Sequence, residues 1–172
     1  CARECPATAM ELLGLSWTVE ELADEVAKDR AYFEQSGGGV TVSGGEPAMQ
    51  ARFAAAFLEA CRERGLSTAV DTCGQCGNME LARLLDRADH VLFDIKETDP
   101  ARHKRFTGHS NKTILANAVL AARHAAQRGK PLWVRTPVIP GATDNENTIR
   151  AAGDFIARRM AGGVTRWELC AF

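Results

Sequence analysis

The chain has 172 residues, 45% of them hydrophobic, 25% charged and 6% aromatic, with a formal net charge of −1. That length suits one globular domain with a real core, and the composition excludes a disordered chain, a coiled coil and a collagen-like rod. No run of about 18 apolar residues marks a transmembrane helix, and the scattered basic residues give no footprint for nucleic acid or an anionic membrane.

The chain begins at Cys1 rather than Met and ends at Phe172 directly after a strand-like run, so it is expected to be a fragment truncated at both ends. Six cysteines are too few for a disulfide scaffold of this size. Their grouping favours metal chemistry or a reduced compartment, and the expected location is cytoplasmic.

In chain order, Thr18 with Glu21 forms a capping-box signal for a first helix. Val19, Leu22, Ala23, Val26 and Phe33 then share one face at helical spacing. Gly37–Gly39 break it, Val40–Val42 reads as a strand, and Pro47 is placed for the first position of a second helix. Phe53, Phe57, Leu58 and Cys61 form that helix's buried stripe, and Gly65 stops it. Ser67–Asp71 is expected as a strand, Met79–Leu85 as a short helix and His90–Ile95 as a strand. Ile114–Arg128 is an alanine-rich helix ended by Gly129, followed by a strand over Leu132–Arg135. A loop with Pro137, Pro140 and Gly141 leads to a helix over Asn145–Met160, where Gly153 costs about 1 kcal/mol relative to Ala. Val164–Cys170 is the fifth strand.

Alternating strands and helices specify an α/β fold with a parallel sheet and right-handed crossovers. A doubly wound sheet and a barrel both fit. A closed eight-stranded barrel takes about 250 residues, so five strands favour a partial, open βα barrel.

In such folds chemistry sits at the carboxyl ends of strands. Those ends carry Ser43-Gly44-Gly45-Glu46, Asp71-Thr72-Cys73-Gly74, Asp94 with Lys96, and Arg135 with Thr136. The mixed set suits a zwitterionic ligand, carboxylates meeting an amino group or cation and Lys or Arg meeting a carboxylate. Singly, each has a plainer role: glycines for a turn, Glu46 at a helix N-terminus, Asp71 or Asp94 as caps, Lys96 as a rim charge.

Cys1-Ala2-Arg3-Glu4-Cys5-Pro6 matches the C-x3-C-P end of a ferredoxin cysteine run, whose thiolates bind iron–sulfur clusters. Zinc ligation or inert cysteines remain alternatives at that spacing. Cys73-Gly74-Gln75-Cys76 has neither a second C-x2-C nor a zinc-finger histidine to pair with, and thioredoxin-like chemistry lacks other support. Cys61 and Cys170 are expected in the core. His103, His109 and His124 are expected on surface segments and have no assigned role.

Taken together, CARECP, SGGGVTVSGGEP, DTCG, LFDIK, HKRFTGHSN and WVRTPVIPGATD resemble the activating enzymes of glycyl radical enzymes, a branch of the radical S-adenosylmethionine (SAM) superfamily. CARECP before the first long helix is similar to the branch with a ferredoxin-like insert carrying two further [4Fe–4S] clusters. The resemblance implies that residues 1–15 are the tail of that insert and 16–172 a partial radical SAM barrel. It further implies that Ser43, Gly44, Gly45 and Glu46 hold the SAM amino group. Asp71, Thr72, Asp94 and the carbonyl of Leu92 would hold a monovalent cation against the SAM carboxylate. The Asp94-Ile95-Lys96 segment would reach SAM through its lysine, Arg135 would line the same mouth, and Cys1 and Cys5 would ligate the accessory clusters.

The implied reaction is reductive cleavage of SAM and hydrogen abstraction from a glycine of a partner glycyl radical enzyme, with flavodoxin or ferredoxin as reductant. The family's C-x3-C-x2-C, which leaves one iron open for SAM, is absent from this sequence. It is expected upstream, so the fragment alone is expected to be inactive. Two other classes compete. A class I aldolase-type lyase would use Lys96 as a Schiff base but leaves CARECP unexplained. A non-enzymatic electron-transfer protein leaves the strand ends unexplained.

Overall fold

Right-handed crossovers return the chain to the same side of a sheet whenever each new strand is added at the same edge. That is the arrangement here. A computed structural model describes residues 4, 6, 7, 9 and 14–171, and Cys1 and Cys5 lie outside them. Five parallel strands stand in sequence order, β1 Gly39–Val42, β2 Ser67–Thr72, β3 His90–Asp94, β4 Leu132–Val138 and β5 Arg166–Ala171. The helices are α1 Val19–Ala27, α2 Arg30–Ser36, α3 Ala51–Glu63, α4 Asn78–Arg87, α5 Pro100–Thr107, α6 Lys112–Arg128 and α7 Glu146–Arg159. The sheet is therefore an open, singly wound βα arc, the partial barrel expected rather than a doubly wound sheet.

Strand periodicity sets the two faces. Val70, Val91, Phe93, Leu132 and Val134 are buried with Leu58, Leu81, Leu84, Leu85, Ala118 and Ala121 in one core under the helices. On the opposite face Asp71, Leu92, Asp94, Trp133 and Arg135 are half-buried. A second cluster seats Val19, Leu22, Val26 and Phe33 around Phe57, Cys61 and Leu66.

Several boundaries differ from the sequence expectation. The first helix divides: Lys28 and Asp29 close α1 with bonds to Glu25 O and Val26 O, a tightening to three-residue turns, and α2 restarts so that Phe33 still reaches the second cluster. Pro47 opens a 3-10 turn over Pro47–Gln50 before α3 begins. Helix α5 has little apolar periodicity and is set by its cap, where Asp99 accepts from Arg102 N at 2.7 Å and Pro100 takes the first turn.

Strand β4 runs through Pro137, which was expected in a loop. Arg135 O accepts from Ile95 N at 2.9 Å, so two residues on the Pro137 nitrogen also faces the β3 side. There β3 has already ended, and the missing N–H costs no ladder bond. Cys61 is buried as expected, whereas Cys170 is only half-buried on the edge strand β5.

Candidate cofactor site at the strand ends

Parallel register aligns the polar strand ends. Asp71 lies opposite Leu92, and Asp94 opposite Arg135, with all four on the face away from the helices. Arg135 Nη2 donates to Asp71 Oδ1 at 2.5 Å and to Asp94 Oδ1 at 3.2 Å. Lys96 Nζ donates to Asp94 Oδ2 at 3.2 Å, and Ser43 Oγ to Asp71 Oδ2 at 3.3 Å. The ends of β1, β2, β3 and β4 thus meet in one network with two carboxylates and two cations. Burial opposes the Arg135 charge, but its hydrogen bond to Asp71 and the fields of Asp94 and Asp71 outweigh it and raise its pKa above the ordinary guanidinium value.

The loop after β1 supplies bare backbone beside this network. Gly44 has φ +114°, a conformation other residues rarely adopt. A Cβ at Gly44 or Gly45 would meet nothing within 4 Å, so the loop borders open space that a ligand can enter. The Glu46 side chain does not point to that space as a free acceptor. Its Oε1 accepts from Ala48 N at 3.1 Å and Thr72 Oγ1 at 2.6 Å. Its Oε2 accepts from Cys73 N at 3.0 Å and Cys73 Sγ at 3.2 Å. Glu46 clasps the β1 loop to the β2 loop.

Other expected residues divide between chemistry and packing. Thr72 is buried, its hydroxyl bonded to Glu46 and to Gly74 N, and Ile95 is fully buried in the core, leaving only their backbone for a ligand. Leu92 is half-buried between Asp71 and Trp133 in register. Lys96 is exposed and its contact is a carboxylate. Schiff-base lysines are activated by apolar burial or a cationic neighbour, so this setting does not favour the aldolase class.

Burial, with Glu46 nearby, raises the Cys73 and Cys76 thiols, Cys76 to about 11, which favours the protonated thiol over the reactive thiolate. Among the described residues no group of three or more His, Cys, Asp or Glu is arranged to hold a metal. The expected accessory-cluster ligands Cys1 and Cys5 lie outside the described residues.

Three positioning residues were not recognised in the sequence. Asn117 Nδ2 donates to Gly74 O at 2.8 Å and Cys76 O at 2.9 Å, holding the β2 loop. Asn111 Nδ2 donates to Glu97 O and Thr98 O, both at 2.9 Å, holding the β3 loop. Arg102 joins the β3 and β4 loops through Glu97 Oε2 at 2.8 Å and Ala142 O at 2.5 Å. Asn117 had a legible signal, a polar residue on the apolar face of an alanine-rich helix. His103, expected on the surface, is only 3% exposed.

Comparison with known proteins bears on this geometry. The model of the Radical SAM superfamily matches residues 5–152. The chain belongs to the radical SAM superfamily. Membership implies SAM and a [4Fe–4S] cluster as cofactors. An isethionate sulfite-lyase activating enzyme of Nitratidesulfovibrio vulgaris is 45% identical over 151 residues, 88% of this chain and 48% of that protein. A (2S)-3-sulfopropanediol dehydratase activating enzyme of Klebsiella oxytoca is 37% identical over 97% of this chain and 51% of its own length.

The radical SAM chain thus spans about half the length of these curated relatives. A crystallised domain of a pyruvate-formate lyase-activating enzyme from Bacteroides vulgatus superposes with a TM-score of 0.68 at 28% identity, covering 77% of this chain and 79% of that one. In this radical SAM chain no helix among the described residues is long and apolar enough to cross a membrane.

Proposed function

We propose that this chain is the SAM-holding part of a glycyl radical enzyme activating enzyme. The observation that carries the proposal is the network of Ser43, Asp71, Arg135, Asp94 and Lys96 beside the bare backbone at Gly44–Gly45. Its chemistry fits the methionine end of SAM. Backbone acceptors of the Ser43–Glu46 loop meet the amino group, and Lys96 and Arg135 meet the carboxylate. Glu46 acts through its clasp, ordering that loop against β2.

Asp71 and Asp94, with backbone oxygen from the Thr72 and Leu92 positions, form a donor set suited to a monovalent cation. Holding it requires Arg135 Nη2 to give up at least one of its two carboxylates. Ile95 keeps Lys96 in register by filling the core beneath it. Held by these residues, SAM would, on receiving one electron from a reduced [4Fe–4S] cluster, break a sulfonium C–S bond to give methionine and the radical that would take a hydrogen atom from a glycine of the partner enzyme. Cys1 and Cys5 are assigned to accessory clusters, the reductant to a flavodoxin or ferredoxin, and the location to the cytoplasm. Similarity to activating enzymes of several glycyl radical enzymes supports the partner class.

The test uses the full-length gene product, purified and reconstituted anaerobically. Iron and sulfide are quantified, then reductant and SAM are added and 5′-deoxyadenosine is assayed. Reductive cleavage is expected; iron-free protein that leaves SAM intact after reconstitution contradicts the proposal. In the same protein Asp94→Asn removes the shared partner of Arg135 and Lys96. SAM affinity by titration calorimetry is expected to fall about tenfold or more, the size of one charge-assisted hydrogen bond. Unchanged affinity would remove Asp94 from the site.

A further inference from the structure

The basic residues are spread along the chain, but the carboxylates are not. Between Asp99 and Asp144 there is no Asp or Glu, while the same stretch holds eight Lys and Arg. Four of these cations are used within the fold. Arg135 joins the strand-end network, Arg102 is held by Glu97 and Arg128 by Asp86, and Lys130 donates to three carbonyls where α4 ends. Lys104 and Arg105 in the last turn of α5 and Lys112 at the start of α6 have no carboxylate partner among the described residues. Residues 104–110 are all exposed. Amid them stands Phe106, 46% exposed, with the guanidinium carbons of Arg102 and Arg105 at 5.9 and 5.8 Å from its ring centre.

The helix macrodipole accounts for part of this surface, since a cation is favoured in the last turn of α5. It does not account for Lys112, the first residue of α6, where the dipole opposes a cation and no acidic residue stands in the first turn. Nor does it account for a large apolar ring left in water. Thr107 and His109, in the same turn, share a cavity of about 190 Å³ with Asp94 and Lys96, so the surface adjoins the candidate SAM site.

We infer that the end of α5 and the start of α6 form the docking surface for a small acidic electron-carrier protein of the flavodoxin class. The inference rests on the activating-enzyme reading for the need of a reductant. Charge selects an acidic partner, because the three cations have no carboxylate of this chain to satisfy them. Area selects a transient one: two helix ends and a turn match a redox encounter, which buries less than about 1,200 Å², and a donor of single electrons has to leave after each delivery. Phe106 offers a flat ring inside a cationic rim to the exposed edge of a flavin. A nucleic acid needs a longer cationic track than this, on a chain whose net charge is −1. In the step served, one electron passes from the reduced flavin to the oxidised cluster, and no atom is transferred.

The test uses the full-length, cluster-loaded protein with SAM, and 5′-deoxyadenosine formation is driven either by reduced flavodoxin or by photoreduced 5-deazaflavin, a small uncharged reductant. The flavodoxin-driven rate is expected to fall as salt rises. The double variant Lys104→Glu, Arg105→Glu is expected to lower it at least tenfold while the deazaflavin-driven rate stays within twofold. Acidic residues there also oppose the dipole of α5, so the neutral pair Lys104→Gln, Arg105→Gln is measured beside it, with a loss of about threefold expected. Phe106→Ala is expected to lower the flavodoxin-driven rate and keep its salt dependence.

Flavodoxin-driven rates that are equal in wild type and in both charge variants overturn the inference. Equal losses with both reductants in the neutral pair also overturn it and assign these residues to the SAM site or to the folding of α5. Failure of the activating-enzyme reading is a separate result, in which SAM stays intact with either reductant. The surface is then read by calorimetric titration with flavodoxin, whose Kd is expected to rise at least tenfold in the charge-reversed pair. A wild type that does not bind flavodoxin at low salt overturns the docking surface itself.

Discussion

Four donors converge on the Glu46 carboxylate, from Ala48, Thr72 and both the backbone and thiol of Cys73. A carboxylate accepts at both oxygens, whereas an amide turns one of them into a donor. Glu46→Gln therefore sets an N–H against one pair of donors whichever way it flips. We expect a loss of about 1–3 kcal/mol in stability, read from the urea midpoint, even though shape and volume are kept. An unchanged midpoint would show that the carboxylate does not join the two loops. The same clasp sets the surroundings of Cys73, which in sequence resembles half of a redox motif. Burial and the Glu46 carboxylate keep its thiol protonated.

Helix α7 carries a glycine at its centre, where propensity alone argues for alanine by about 1 kcal/mol. A Cβ at Gly153 would lie 3.2 Å from Trp167 Cζ3. That indole is anchored by its Nε1–H to Thr136 Oγ1 at 3.0 Å, so the ring cannot yield without losing a bond to a buried hydroxyl. Gly153→Ala is expected to bring no gain in thermal midpoint and a shift in tryptophan fluorescence. A rise of several degrees would mean that α7 packs less closely on β5. Helix α5 makes the complementary point. It has a single buried residue, His103, and depends on Asp99 and Pro100 at its start, which is why periodicity did not reveal it.

At the scale of the whole molecule, sequential strand order puts the helices on one face and leaves the charged strand ends on the other. Arg135, from the fourth strand, reaches Asp71 on the second and Asp94 on the third, contacts that no local segment can make. The order also ranks the strands. β2, β3 and β4 are paired on both sides, while β1 and β5 are the two edges. Amide hydrogen exchange is expected to be slowest in Val70, Val91, Phe93 and Val134 and faster by at least tenfold in β1, whose four residues are only half-buried or exposed. Comparable protection in β1 and β3 would contradict this ranking.

Sequence alone determined the α/β class, the five strands and the polar residues at their ends, because strand periodicity, glycine stops and capping pairs are local signals. It also carried the motifs that resemble glycyl radical activating enzymes, and the superfamily of which these are a branch, radical SAM, is the one found. Tertiary structure alone decided what those residues touch. The Glu46 carboxylate is consumed by the β2 loop, Ile95 and Thr72 have buried side chains, and Asn111, Asn117 and Arg102 hold the loops. His103 is buried, and its Nδ1 meets a carbonyl six residues away across a helix end. Each of these depends on contacts across turns or between strands, and hydrogen-bond partners at such separations leave no periodic trace in a chain.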